Sequence, residues 1–295
     1  MFRKVLVGVD GHLGGRDAVA LAAQLTAGDG TLGLAHVYPM RGDPLHHDYN
    51  DYETSQYVHA RDVLETARKE AGVQAELRWH ASTSPGRGLH ELAEMLHCDL
   101  LVVGSCRRGL LGRIMTGNDT HAALDGAPCA VAIAPAGYAE QPATIQRIGV
   151  GYDGSPESER AVELARTLAG ERGADVAALQ VISLPAYLFR GPAARDEIAL
   201  EELISDARDR VGSLDDVEPH AAYGHAAEEL ARWGDTLDLL VVGSRGFGPV
   251  GRLVHGSTSR ALANTAHCPL LVLTRSVAVT ATAGAVHDDG ALAAT

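Results

Sequence analysis

Three short stretches of this chain occur twice, in the same order and at nearly one separation. Val7-Gly8-Val9-Asp10-Gly11 returns as Val150-Gly151-Tyr152-Asp153-Gly154. Asp99-Leu100-Leu101-Val102-Val103-Gly104-Ser105 returns as Asp238-Leu239-Leu240-Val241-Val242-Gly243-Ser244, and Cys129-Ala130-Val131-Ala132-Ile133 as Cys268-Pro269-Leu270-Leu271-Val272. The separations run from 139 to 143 residues. A repeat of that length is two copies of one domain, so whatever fold one copy takes the other must take as well. The chain's 295 residues suit two domains of that size. The expected boundaries are 1–136 and 145–275. Between them the polar stretch 136–144, with Gly137 and Pro142, reads as a linker. Residues 276–295 are rich in Ala, Thr, Gly and Asp without periodicity, and read as a disordered tail.

Each copy alternates strand and helix patterns. In the first, strands are expected over 4–9, 31–38, 74–80, 100–104 and 129–134, and helices over 17–27, 52–71, 88–97 and 117–125. The helix over 52–71 carries Arg61, Asp62, Glu65, Arg68 and Lys69 on its outward face. The second copy repeats this with strands over 147–152, 176–182, 217–223, 238–243 and 269–274. Strands that alternate with helices pair in parallel, because right-handed crossovers cover both sheet faces. The expected class is therefore α/β: two tandem doubly wound domains, Rossmann-like, each a five-stranded parallel sheet with about four helices. Aromatic content of 4% leaves a core of Ala, Val, Leu and Ile, which suits such sheets. Ligands of these sheets bind beyond the carboxyl ends of the strands, where the strand order reverses. The ends of the first and fourth strands should lie side by side there.

From one such strand end runs Val241-Val242-Gly243-Ser244-Arg245-Gly246-Phe247-Gly248, and the loop closes at Gly256-Ser257-Thr258-Ser259. Strand, glycine-rich loop and helix start form a layout that cradles phosphate. Glycine lets the backbone N–H groups turn to an anion, and the helix start adds unpaired donors. Gly246 and Gly256 would let the backbone approach phosphates, and Ser257 can offer its hydroxyl and its N–H. Arg245 and Arg252 either offset phosphate charge or are surface solvation. Asp153 either serves a nucleotide or caps the helix that follows it; the two roles are compatible.

Other chemistries are excluded or bland. A net charge of −13 argues against sequence-independent nucleic-acid binding. Cys98, Cys106, Cys129 and Cys268 lack C-x-x-C spacing and read as thiols of a reducing compartment. No apolar run reaches the roughly 18 residues of a membrane span, and the start does not read as a signal peptide, so a cytoplasmic location is expected. His46-His47-Asp48 falls in a stretch, 39–50, that reads as a flexible solvated loop rather than a metal site, and His12 and His255 read as incidental. There is no G-x-S-x-G elbow and no G-x-x-x-x-G-K-[ST] loop, so neither a hydrolase nor a P-loop enzyme is indicated.

Two copies, each with V-G-x-D-G on its first strand, and a Gly-rich loop spaced G-x2-G-x9-G-[ST], resemble the universal stress protein family in its tandem form. The resemblance covers nearly the whole chain, from about residue 3 to 275. The second copy matches the spacing fully through Gly243, Gly246 and Gly256-Ser257. In the family that motif marks members that bind ATP. The resemblance implies a nucleotide held by Asp153, Gly154, Val181, Gly243, Arg245, Gly246, Gly256, Ser257 and Thr258, with or without Mg2+. It also implies association through the last strand, here satisfied inside the chain as a pseudo-dimer; whether two chains then form a homodimer is left open.

The first copy departs from the motif. Arg107 stands where the second glycine belongs, and Asn118 follows Gly117 in place of Ser or Thr. Asp119 adds negative charge close by. Asp10, Val37 and Gly104 remain, so these six residues form at most a weak second site. The implied function is that of an ATP-binding stress-response regulator acting on an unidentified protein partner. Fast phosphoryl transfer needs Mg2+ ligands and a charged clamp, so ATP hydrolysis is expected to be slow at most. The other class left open is a nucleotide-free interaction or scaffold protein of the same fold.

Overall fold

A computed structural model of the chain describes residues 1–40, 48–105, 118–183, 193–244 and 257–273. The first half runs β1 (Phe2–Gly8), α1 (Leu13–Leu25), β2 (Thr26–Pro39), α2 (Asp48–Ala71), β3 (Glu76–Ser82), α3 (Pro85–Met95), β4 (Leu100–Gly104), α4 (Asn118–Leu124) and β5 (Ala130–Ala134). The second runs β6 (Arg147–Tyr152), α5 (Pro156–Arg172), β7 (Asp175–Ile182), α6 (Ala193–Gly212), β8 (Glu218–Tyr223), α7 (Ala226–Gly234), β9 (Leu239–Gly243), α8 (Ser257–Thr265) and β10 (Leu270–Leu273).

The ten strands form one sheet in the order β3-β2-β1-β4-β5-β10-β9-β6-β7-β8. Every pairing within a half is parallel. The halves meet where β10 runs antiparallel to β5, with Leu270 opposite Ile133, Leu271 opposite Ala132 and Val272 opposite Val131. This is the expected pair of doubly wound domains joined as an intrachain pseudo-dimer. Because the seam is antiparallel, the carboxyl ends of the two sets of strands point to opposite edges of the sheet.

The central strands are buried on both faces, which explains their unbroken Leu and Val runs. Val5, Val7, Leu100, Val102, Ala130 and Ala132 face α1, and this layer continues through Ile148, Val150 and Val241 into the second half. Leu6, Leu101, Val103, Val131 and Ile133 face the other way, onto Leu89, Leu92 and Leu124, and that layer continues through Leu240, Leu270 and Leu262. Both core layers therefore cross the seam, and burial at about 25 cal/mol per Å2 holds the halves together as it holds each half.

Several element limits differ from expectation. Helix α1 starts at Leu13 rather than at Asp17. The side chain of Asp10 accepts the His12 N–H at 2.9 Å and Gly11 takes a left-handed φ of +81°, so the chain has turned into the helix before any apolar period begins. Gly14 and Gly15 in its first turn hide that start from periodicity. Strand β2 begins at Thr26, five residues early, with a register shift between the pairs Phe2–Thr26 and Lys4–Thr31. Asp48 belongs to helix α2 rather than to a loop, while His46 and His47 lie outside the described residues, as do Cys106 and the stretch 276–295.

The stretch 136–144 is strapped to α1. Asp17 is 3% exposed, and its two carboxylate oxygens accept the N–H groups of Gly137 (2.9 Å) and Ala139 (2.8 Å). Gln24 donates to the Ala143 carbonyl at 2.8 Å and to the Tyr138 hydroxyl at 3.0 Å. Two backbone donors that would otherwise be orphaned at the junction are satisfied by one buried carboxylate.

Candidate functional site

The strand order reverses at β1, between β2 and β4, and at β6, between β7 and β9. Both reversals are built alike. At each, an aspartate follows the strand and its carboxylate accepts the N–H two residues on: Asp10 from His12 at 2.9 Å, Asp153 from Ser155 at 3.0 Å. The glycine between takes φ of +81° at Gly11 and +75° at Gly154, a conformation that side chains resist. In the second half the helix cap is Ser155, whose Oγ accepts the Ser158 N–H, with Pro156 at the first helical position. Asp153 is therefore a turn-former two residues before the cap, and the capping role expected of it falls to Ser155.

The first motif glycine of each half has a packing role. A Cβ on Gly104 would overlap the Gly14 carbonyl, and one on Gly243 would come within 2.6 Å of the Glu157 carbonyl oxygen. Each glycine lets the end of the fourth strand lie against the first turn of the helix that follows the aspartate turn. In the first half that closeness brings the strand end, the turn and the helix N-terminus around one cleft.

Three of the residues expected in the first half, Asp10, Val37 and Gly104, line a single cavity of about 480 Å3. Its apolar walls come from Gly8, Val9, Ala35, Leu89 and Val103, and its polar groups from Asp10, His12, Ser105 and Thr120. Thr120, in the first turn of α4, donates to the Gly104 carbonyl at 3.1 Å and ties that helix to the end of β4. Asn118 opens the same helix. Arg107 and Gly117 lie outside the described residues. Ser105 is 1% exposed, and among the described residues its hydroxyl has no hydrogen-bond partner. Motif spacing pointed to neither Ser105 nor Ala35; only their adjacency to Gly104 and to Val37 in sequence could have flagged them.

In the second half Val181 is half-buried on β7, and Ser257 and Thr258 open α8 with Ser257 exposed. Arg245, Gly246 and Gly256 lie outside the described residues, as do Arg252 and His255. Corresponding positions are filled more heavily than in the first half. Leu179, opposite Gly151, stands where Ala35 stands opposite Gly8; Tyr152 replaces Val9; Glu157 replaces Gly14.

Close to the first cavity, His36 is 8% exposed and its Nδ1–H donates to the Val9 carbonyl at 2.8 Å. Burial pushes its pKa below the ordinary histidine value, against the raising effect of that hydrogen bond, and the neighbouring His59 adds to the lowering. The two rings meet edge to face, 5.8 Å between centroids. Among the described residues no three His, Cys, Asp or Glu side chains converge as a metal-ligand set, and no helix is long and apolar enough to cross a membrane.

Comparison with known proteins agrees with this architecture. The chain matches the model of the universal stress protein family twice, over residues 1–135 and 144–274. It is 26% identical over 288 residues to a universal stress protein of Mycobacterium tuberculosis, covering 92% of this chain and 97% of that one. A universal stress protein of Mycolicibacterium smegmatis is 29% identical over 292 residues, covering 91% and 96%. The crystal structure of a universal stress protein from Archaeoglobus fulgidus superposes with a TM-score of 0.65 at 19% identity, over 92% of this chain and 97% of that one, a likeness of fold. Two matched halves, one repeated aspartate-glycine turn and relatives of full tandem length lead to one assignment: the chain belongs to the universal stress protein family.

Proposed function

We propose that this protein is a regulator that binds one ATP per chain, in the cleft of its second half. The observation that carries the reading is the packing at the carboxyl ends of β6 and β9. The Asp153-Gly154 turn and the close-packed Gly243 meet there, and the spacing Gly243, Gly246, Gly256-Ser257 runs from that strand end to the first turn of α8. Asp153, Gly154 and Val181 would flank the base and ribose. Backbone N–H groups at Gly246 and Gly256, with Ser257 and Thr258, would take the phosphates, joined by Arg245. The nucleotide would be taken with or without Mg2+. Nucleotide occupancy would alter the surface offered to a protein partner in the cytoplasm. The working domain limits are 1–136 and 145–275.

Calorimetric titration of the purified chain with ATP should give one site, and heating should release adenine nucleotide. Gly246→Arg, which copies Arg107 into the second half, should weaken ATP at least tenfold. Unchanged affinity in that variant, or two equivalent ATP sites in the parent, would overturn the assignment. Turnover should stay below about 1 per second, the low end for dedicated phosphoryl-transfer enzymes.

A further inference from the structure

The two outer edges of the sheet are closed to different degrees. We propose that the free edge of β3 is a docking strand for an extended, acidic segment of a protein partner, which pairs with it as a further strand of the sheet. The proposal gives a place to the protein partner of the reading above, and it stands on the sheet edge without the nucleotide.

Backbone direction comes first. β3 pairs with β2 from Gly33–Glu76 to Pro39–Ser82, and among the described residues no strand lies beyond it. The Met40 N–H donates to the Ser82 carbonyl at 3.0 Å, so Ser82 turns its backbone groups toward β2. Peptide groups alternate in direction along a strand. Glu76, Arg78 and His80 therefore turn theirs inward as well, and Leu77, Trp79 and Ala81 turn theirs outward. Among the described residues the outward groups have one partner, the Arg78 guanidinium, which donates to the Leu77 carbonyl at 3.2 Å. Such a row of open donors and acceptors is a template for one more strand.

The other edge, β8, is built differently. There the Gly224 N–H donates to the Ile182 carbonyl at 3.1 Å, which leaves Pro219, Ala221 and Tyr223 facing outward. Leu77 stands across Leu34 from Val7, as Pro219 stands across Ala178 from Val150, so the two positions correspond. Proline has no N–H to offer, and edge strands are where it is tolerated. One copy of the domain has thus blocked its edge at the position where the other keeps a donor.

Side chains come second. Trp79 is 37% exposed, and its ring meets that of Tyr57 on α2 edge to face, 4.9 Å between centroids. Val58 is exposed next to Tyr57. Tryptophan and tyrosine are the side chains that most often anchor an interface. The position of Trp79 is held by Ala221 in the second half.

Charge comes third. Along this edge Arg78 pairs with Glu76, Arg87 with Glu91 and Arg61 with Glu65. Arg68 and Lys69, exposed in the last turn of α2, have no ion pair among the described residues. Positive charge is left over here on a chain whose net charge is −13, and it favours carboxylates in the incoming segment.

The test uses the full chain and a seven-residue peptide, the length of β3, that alternates valine with threonine and carries glutamate at both ends. Fluorescence anisotropy of the labelled peptide should show saturable binding with or without ATP. Hydrogen exchange should slow at the Leu77, Trp79 and Ala81 amides and stay unchanged at Ala221. Leu77→Pro, which copies Pro219, and Trp79→Ala, which copies Ala221, should each weaken binding at least tenfold. Trp79→Ala leaves every backbone donor in place and so reads the surface even if Leu77→Pro does not fold. The peptide N-methylated on its edge-facing amides should bind at least tenfold more weakly, and one with lysine for glutamate severalfold more weakly. Absence of binding by the parent peptide, protection at Ala221 instead of β3, or undiminished binding of the methylated peptide or by folded Trp79→Ala would overturn the proposal. So would sedimentation showing that this edge pairs two copies of the chain. Peptide binding by a chain that takes up no ATP would leave the proposal standing and remove the reading above.

Discussion

At the scale of single residues, the glycines that begin the two loops are the most exacting positions. Gly104 and Gly243 each admit a neighbouring helix backbone where a Cβ would collide. Gly104→Ala or Gly243→Ala should cost about 3 kcal/mol, the upper range for overpacking, measured by denaturant unfolding. A loss of ligand in either variant would thus report on the fold, whereas Gly246→Arg is the substitution aimed at ligand. His36 supplies a second check. Its pKa is lowered by burial, so the unfolded chain takes up a proton more readily than the folded one. Stability contributed by this residue should be fully present above about pH 6.5 and should fall as pH drops through that value. His36→Gln should flatten the slope of unfolding midpoint against pH between about 7 and 5; an unchanged slope would contradict the assignment.

The residues legible in the sequence were those whose neighbours repeat. Asp10 with Gly11 and Asp153 with Gly154 stood out because the same turn occurs twice. Asp17 did not, since its partners at Gly137 and Ala139 are more than a hundred positions away and a lone aspartate in a helix reads as solvated. Ser105 did not either: an unpaired buried hydroxyl is a property of surroundings, not of spacing.

At the scale of elements, the sheet edge β3 is fastened to helix α3 by one carboxylate. Glu91 accepts from Arg87 Nε at 2.8 Å and from Ser82 Oγ at 3.1 Å, and lies 2.8 Å from His80 Nε2. Arg87 chiefly, then His80, holds its pKa down to about 2 from the ordinary 4.5. A depressed carboxylate stabilises the fold above its unfolded pKa and stops doing so as pH falls through its folded one. That contribution should therefore fade from about pH 4.5 to about pH 2. Glu91 is partly exposed, so Glu91→Gln should cost no more than about 1 kcal/mol at neutral pH and should remove this part of the acid slope, followed by circular dichroism. Strand and helix identity were readable because central parallel strands carry continuous apolar runs. Their limits were less so: α1 begins through a turn and two glycines, and β2 through a bulge, neither of which has a hydrophobic period.

At the scale of the whole molecule, one sheet with one continuous pair of core layers predicts a single cooperative transition. Since the β5–β10 seam lies within one chain, the unfolding midpoint should not change over a hundredfold range of protein concentration by calorimetry. A midpoint that rises with concentration would mean that association between chains carries part of the stability. That the last strands of the two halves meet followed from the resemblance, but the direction of the seam did not. The antiparallel register from Leu270–Ile133 to Val272–Val131 shows that the halves run opposite ways.

That seam also fixes stoichiometry. Two separate subunits exchange partners and drift apart on dilution, so each cleft would meet a random mate. Here the tether makes every first-half cleft the permanent neighbour of one second-half cleft, in a ratio of one to one at any expression level. Duplication of this kind allows the two copies to diverge without ever assembling in mixed pairs. A cell that makes this protein therefore makes its two clefts in equal numbers, facing opposite ways, however little of it is present.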